Sequence, residues 1–188
     1  MNRRNMLKWL SGALGAASAA VVVLPGGRFL ADALRQRGSG GAVVKRVARL
    51  DDLVVGKPKS YPVFDSRRDA WTLYPDQAIG RVWLLREEGA PGDAEASKVR
   101  AFTAVCPHLG CAIQLDSGGQ RFVCPCHRAA FDLDGRPQPD ESGKKSHAPR
   151  GMDSLECRLV RDSDEGNWWV EVQYEKFESG LTTKVPKV

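Results

Sequence analysis

At 188 residues the chain has room for one domain of ordinary size plus a tail or an anchor. Its net charge is +5, from 28 Lys and Arg against 23 Asp and Glu, with both signs interspersed, which points to no particular partner. No block of basic residues interleaved with aromatics is present, so nucleic acid is not an expected ligand.

The N-terminus reads as an address followed by an anchor. Asn2-Arg3-Arg4-Asn5-Met6-Leu7-Lys8 resembles the twin-arginine export motif, with the paired Arg, two apolar residues and Lys in place. Trp9 to Leu24 is an uncharged run of 16 residues, slightly short of the roughly 20 that a spanning helix needs. Lys8 can snorkel at one end while the chain reaches Pro25-Gly26-Gly27 at the other. Arg3, Arg4 and Lys8 favour a cytoplasmic N-terminus, with everything after Pro25 outside. Ala17-Ser18-Ala19 offers an alternative, cleavage as a removable signal peptide, which would leave an apolar terminus at Ala20–Leu24. Retention is the adopted reading: residues 1–27 form a twin-arginine signal and membrane anchor. Arg28–Arg37 is a short helical segment, and Gly38-Ser39-Gly40-Gly41 is a flexible joint with roughly 10 Å of mean reach. Residues 28–42 are thus expected to form a flexible Gly-rich hinge, with a simple spacer as the alternative.

From Val43 onward the pattern is that of strands. Val43–Leu50, Lys59–Phe64 and Ile79–Arg86 carry apolar and β-branched residues between turn signals. Glu87–Lys98, with Gly-Ala-Pro-Gly-Asp inside, reads as a solvated hairpin loop. Arg100–Val105 leads into Cys106-Pro107-His108-Leu109-Gly110-Cys111, and Ala112–Leu115 leads out of it. Ser117-Gly118-Gly119 turns the chain, and Gln120–Val123 delivers Cys124-Pro125-Cys126-His127. Ala130–Leu133 with Asp134-Gly135 begins another hairpin; Leu155–Arg161 and Asn167–Tyr174 close the domain across Asp164-Glu165-Gly166. Short strands at this spacing predict an all-β sandwich or open barrel. The expected domain is 43–174, followed by a C-terminal tail, 175–188. Cys157 shares a strand face with Leu155 and Leu159 and is expected to be a small buried residue. Trp168 and Trp169 point to opposite faces, one into the core and one partly covered.

The two Cys/His stretches carry the chemistry. Each offers a thiolate and an imidazole, Cys106 with His108 and Cys124 with His127, and fifteen residues separate His108 from Cys124. That is enough for a strand, a turn and a strand, so two loops at one end of a small sheet can clasp a single inorganic centre. Thiolate and imidazole suit iron or zinc. Zinc would make a structural site from the same four residues. Two Cys on one metal and two His on a second fit a Rieske [2Fe–2S] centre.

The pair of boxes resembles the Rieske iron–sulfur subunit of cytochrome bc and bf complexes, whose loops read C-T-H-L-G-C and C-P-C-H. The resemblance covers roughly residues 43–174, with Pro107 where Thr is usual. It implies an antiparallel Rieske domain with a cluster-binding tip, preceded by one N-terminal transmembrane or signal helix. It also implies a disulfide between Cys111 and Cys126 that pins the two loops together, and such bonds persist best outside the cytoplasm. The extra cysteines weigh against zinc. An aromatic-ring oxygenase is excluded because its mononuclear iron needs two further His and a carboxylate. Only His147 remains, and 53 residues after Gly135 are too few for a catalytic domain.

The resemblance implies that His127 accepts the quinol hydrogen bond, with His108 as the second exposed ligand. The electron would pass to a c-type cytochrome, and a cytochrome b subunit would supply most of the quinol pocket. The runner-up is the Rieske small subunit of a molybdenum oxidase such as arsenite oxidase, which uses the same boxes without quinol; the glycine-rich joint favours the first. Many respiratory members follow C-P-C-H with Gly-Ser and then Tyr, whose hydroxyls donate to cluster sulfurs. Here those positions are Arg128, Ala129 and Phe131, so both donors are missing. Their loss is expected to lower the reduction potential and to suit menaquinol better than ubiquinol. Ser146-His147-Ala148-Pro149-Arg150-Gly151 resembles the proline loop that covers the cluster, with Ser146-His147 where Gly-Pro is usual. Pro149 is therefore expected in the outer shell. His147 reads as an ordinary exposed loop residue, with a place beside the centre as the alternative. The expected location is the cytoplasmic membrane, single-pass, with the cluster domain on the outer side.

Overall fold

The computed structural model of the chain describes residues 2–36, 41–69, 72–88, 96–140 and 142–187. It begins with one helix, α1 (Arg3–Gln36), which contains Pro25. The helix runs through Pro25-Gly26-Gly27, where the anchor was expected to end, and Arg28–Gln36 continues it rather than forming a separate segment. A proline removes a single N–H donor at a cost of about 3 kcal/mol. Val21–Val23 before it and Gly26-Gly27 after it are weak helix formers, so any propensity that carries the ladder past Pro25 comes from further out, from the Ala-rich turn at 16–20 and from Arg28–Ala31. The Ser11 hydroxyl donates to the Leu7 carbonyl one turn back, which satisfies the one hydroxyl near the start of the apolar run. Arg3–Ala31 is long and apolar enough to cross a membrane by length and composition, with a mean hydropathy of 1.6, a test that a signal sequence also passes. Of the glycine-rich joint only Gly41 lies among the described residues.

Two sheets face each other across the main core. The first has the order β1-β11-β10, from β1 (Val43–Arg49), β11 (Trp168–Tyr174) and β10 (Cys157–Arg161). The second has the order β2-β3-β4-β9, from β2 (Lys59–Asp69), β3 (Thr72–Glu88), β4 (Lys98–Thr103) and β9 (Ser154–Leu155). Alternate residues of each, Ala48, Val170, Val172 and Tyr174 against Val63, Val82, Leu84, Ala101 and Leu155, bury together. On the outer face of the first sheet Glu171 pairs with both of its cross-strand neighbours, Arg46 and Arg158. Those two guanidinium groups hold its carboxyl below the ordinary carboxylate range.

Strands β2 and β3 extend well beyond the segments read as strand, pairing as far as Asp69 with Thr72. Residues 72–78 of β3 are exposed, Leu73 and Tyr74 among them, so this segment has no buried face to set an alternating pattern. Neither tryptophan of β11 is core: Trp168 and Trp169 are both half-buried, with the Arg49 guanidinium 5.5 Å from the centre of the Trp169 ring. The core positions of this strand begin at Val170. Cys157 is half-buried, its thiol donates to the Val99 carbonyl at 3.1 Å, and burial pushes its pKa up.

A third, smaller sheet projects from this pair with the order β5-β6-β7-β8. Its strands are β5 (Gln114–Leu115), β6 (Phe122–Cys124), β7 (Ala129–Phe131) and β8 (Pro137–Gln138). It has its own core of Phe102, Cys106, Ile113, Phe122, Cys124, Ala129, Phe131 and Met152. Gly135 turns β7 into β8 at φ +78°, and a Cβ there would lie 2.7 Å from the Phe102 ring, so the turn needs glycine for both conformation and space.

Candidate metal centre

The first box is a tight loop hung between β4 and β5. Ala104 accepts from the Ile113 N–H and Val105 bridges Ala112, which closes the neck. Beyond it the Cys106 N–H donates to the Cys111 carbonyl at 2.8 Å and the Gly110 N–H to the Cys106 carbonyl at 2.9 Å. Gly110 sits at φ +80°, the left-handed conformation that lets the chain reverse in so few residues. The second box is the four-residue turn Pro125–Arg128 between β6 and β7, whose register sets Cys124 opposite Ala129. Arg128 adopts φ +55°, a region that costs a non-glycine residue about 1–2 kcal/mol.

The two loops meet at one end of the small sheet. Cys111 and Cys126 form a disulfide with a Cα–Cα separation of 6.7 Å, as the resemblance implies. The Cys124 sulfur lies within 4.8 Å of both disulfide sulfurs. That trio is not a ligand set, because the bonded sulfurs have no thiolate to offer. Cys106 and Cys124 themselves are free and buried, 0% and 2% exposed, with a side-chain hydrogen bond between them. The Cys106 thiol is pushed up to about 11, first by burial and then by the neighbouring Cys124, against the N–H groups of His108 and Leu109, which donate to its sulfur and act in the opposite direction.

The imidazoles of His108 and His127, one from each loop, stand edge to face, 4.8 Å between ring centres. His127 is exposed and His108 half-buried. His147 is exposed and also adjacent to the site, nearly parallel to the His108 ring at 6.2 Å. The proline loop that carries it packs Ala148 against the core of the small sheet, and Pro149 is half-buried. Ala129 and Phe131 are fully buried in that same core, whereas Arg128 is exposed.

Four donors of two kinds therefore gather at one tip, with sulfur inside and nitrogen outside. Buried thiols supported by backbone N–H donors, together with an adjacent pair of imidazoles nearer the surface, are the donor set that a [2Fe–2S] group with unlike irons requires. One set of contacts had no counterpart in the sequence reading: the segment expected to be a tail reaches this loop. The Gly180 N–H donates to the Pro107 carbonyl at 2.8 Å. Ser179-Gly180, a turn signal two residues after an aromatic, is the only local hint of it.

Comparison with known proteins agrees with this construction. The profile of the Rieske [2Fe-2S] domain matches residues 44–150. The menaquinol:cytochrome c reductase iron-sulfur subunit of Bacillus subtilis is 26% identical over 142 residues, 74% of this chain and 78% of that protein. The cytochrome b6-f complex iron-sulfur subunit 3 of Nostoc sp. is 23% identical over 171 residues, 91% of this chain and 87% of that protein. A cytochrome b6-f complex iron-sulfur subunit of Prochlorococcus marinus reaches 48% identity over 94 residues, 46% of this chain and 49% of that protein.

Proposed function

Because the chain belongs to the Rieske [2Fe-2S] domain family and is a bc-type member of it, we propose that it is the electron-transfer subunit of a membrane quinol–cytochrome c reductase. In this reading Cys106 and Cys124 would supply the sulfur ligands of the cluster and His108 and His127 its nitrogen ligands. The bound cluster supplies one-electron redox chemistry. The observation that supports the proposal is the exposure of His127 directly beside His108, while Cys106 and Cys124 of the same two loops are buried.

The residues of the chain then divide the work. The Cys111–Cys126 disulfide ties the two loops together and lies against Cys124 on its outer side. The N–H groups of His108 and Leu109 hold negative charge at the Cys106 sulfur. His127 presents its outward ring nitrogen to the quinol hydroxyl, accepts its hydrogen bond and takes its proton. His108, half-buried with His147 alongside, offers less of its edge. Ala129 and Phe131 wall the inner side without a hydroxyl, and Pro149 covers it from the proline loop. That hydroxyl-free wall lowers the potential and suits menaquinol, the donor named for the Bacillus subtilis relative. Helix α1 anchors the chain as a single pass, exported through the twin-arginine motif, with the domain on the outer side, where a cytochrome b and a c-type cytochrome are its partners.

The decisive experiment is metal and sulfide analysis of the intact protein together with electron paramagnetic resonance of its reduced form, followed by stopped-flow reduction with menaquinol in the presence of the co-purified complex. Iron and acid-labile sulfide in equal amounts, and His127→Ala abolishing quinol-driven reduction, are expected. Stoichiometric zinc in a colourless protein sinks the proposal.

A further inference from the structure

Beyond β11 the chain does not trail away. Phe177 is buried in the main core, and the segment folds back on itself as a hairpin. The Glu178 N–H donates to the Val185 carbonyl at 2.8 Å, the Lys187 N–H to the Lys176 carbonyl at 2.7 Å, and Phe177 bridges Pro186. Lys184 secures one arm by donating to the Ser154 carbonyl at 2.7 Å while its ammonium lies 4.4 Å from the centre of the Phe177 ring.

The tip of this hairpin touches the first ligand loop on both sides of His108. Gly180, at φ +81°, donates its N–H to Pro107, the residue between Cys106 and His108. The Ser179 hydroxyl lies 3.5 Å from where a Cβ on Gly110 would stand. Arg150 then binds the hairpin to the proline loop. Its side chain is 9% exposed; Nε and Nη2 donate to the two carboxylate oxygens of Asp153 at 2.8 Å each. Nη1 donates to the Leu181 carbonyl at 2.6 Å and Nη2 also to the Glu178 carbonyl at 2.8 Å. The planar fork of an arginine fits this double task, and a lysine, with one compact head group, does not.

We propose that the hairpin Lys176–Lys187 is a clasp that belongs to the metal centre, with Arg150 as its positioning residue: together they hold the Pro107–Gly110 turn, and with it the His108 imidazole, in ligating position. The second loop has the β6–β7 ladder on both of its flanks; the first leaves its neck through the isolated Val105–Ala112 bridge, and the clasp supplies an outer support for it. The inference rests on His108 being a ligand.

The test uses the full chain in detergent with three variants. Deletion of 178–188 keeps the buried Phe177 and removes the clasp; Arg150→Gln and Arg150→Lys loosen it without shortening the chain. The readouts are the rate of visible bleaching under an iron chelator, the resonance lines of the reduced protein, and amide hydrogen exchange at residues 106–110 against β11. The expected result is bleaching faster by about tenfold or more, altered lines, and faster exchange confined to the first loop. Arg150→Lys falls between Arg150→Gln and the parent. Unchanged bleaching and unchanged lines overturn the proposal, and so does exchange that rises equally in β11, which marks a general stabilising role. A colourless parent protein sinks the ligand reading instead, and the exchange comparison then still decides whether the hairpin braces the loop.

Discussion

Restoring the two missing hydroxyls, as Ala129→Ser with Phe131→Tyr, is the most direct probe of the wall behind the centre. Ala129 faces Cys124 directly across β6 and β7, and both Ala129 and Phe131 are fully buried. Paired residues on adjacent antiparallel strands have Cβ atoms about 4.5–5.5 Å apart, so an Oγ at 129 comes within reach of the Cys124 sulfur. Phe131 lies two residues further from the tip, opposite Phe122, and the longer tyrosine is what spans that distance. A hydrogen bond to a sulfur that gains negative charge favours the reduced form. At about 1–2 kcal/mol per bond, each hydroxyl raises the midpoint by about 40–90 mV for one electron. Both donors act on the same added charge, so the pair gives somewhat less than the sum. Redox titration of the parent, both single variants and the double variant at one pH, followed through the reduced-state resonance signal, measures this. A rise under about 20 mV in the double variant, or a fall, refutes the outer-shell reasoning. A thermal melt is the internal check, because a tyrosine hydroxyl that finds no sulfur is an unsatisfied buried group and costs about 1–3 kcal/mol.

Other outcomes follow from individual contacts. Arg128→Gly removes the left-handed strain at φ +55° and is expected to stabilise the domain by about 1 kcal/mol, a rise of a few degrees in Tm by calorimetry; a lower Tm means that the arginine makes a compensating contact. Replacing Cys111 and Cys126 together by Ser opens a loop with a sequence separation of 15, worth about 3 kcal/mol; chemical denaturation is expected to show that loss together with faster cluster release, and an unchanged midpoint of unfolding refutes it. Glu171 is held below its ordinary value of 4.5 first by Arg158 and then by Arg46. A depressed carboxyl contributes stability above its unfolded pKa and loses it as pH falls through the folded one, so Tm measured from about pH 6 to about pH 3 should fall less steeply in Glu171→Gln than in the parent. Equal slopes refute that pairing.

Much of the site is legible in the chain alone because its grammar is local. Cys106 and His108 lie two residues apart, Cys124 and His127 three, and such spacing by itself brings a sulfur and an imidazole to one loop. The strands that deliver the loops also announce themselves, through short β-branched runs between Gly and Asp turns. Local signals falter where no face is buried: exposed residues 72–78 of β3 have no buried side to set an alternation, and the boundary read at residue 27 falls inside α1.

What required the tertiary structure is adjacency between distant segments. His147 stands beside His108 only because the proline loop packs on the small sheet, and Gly180 meets Pro107 only because β11 ends where the domain turns its last residues back toward the tip. The likeness of the 146–151 loop left two places open for His147 and Ser179-Gly180 marked only a turn, since a backbone N–H has no sequence signature and a lone histidine has many uses. Ligand spacing is written within a single turn of chain; the support around it arises from packing, which sums over the whole fold.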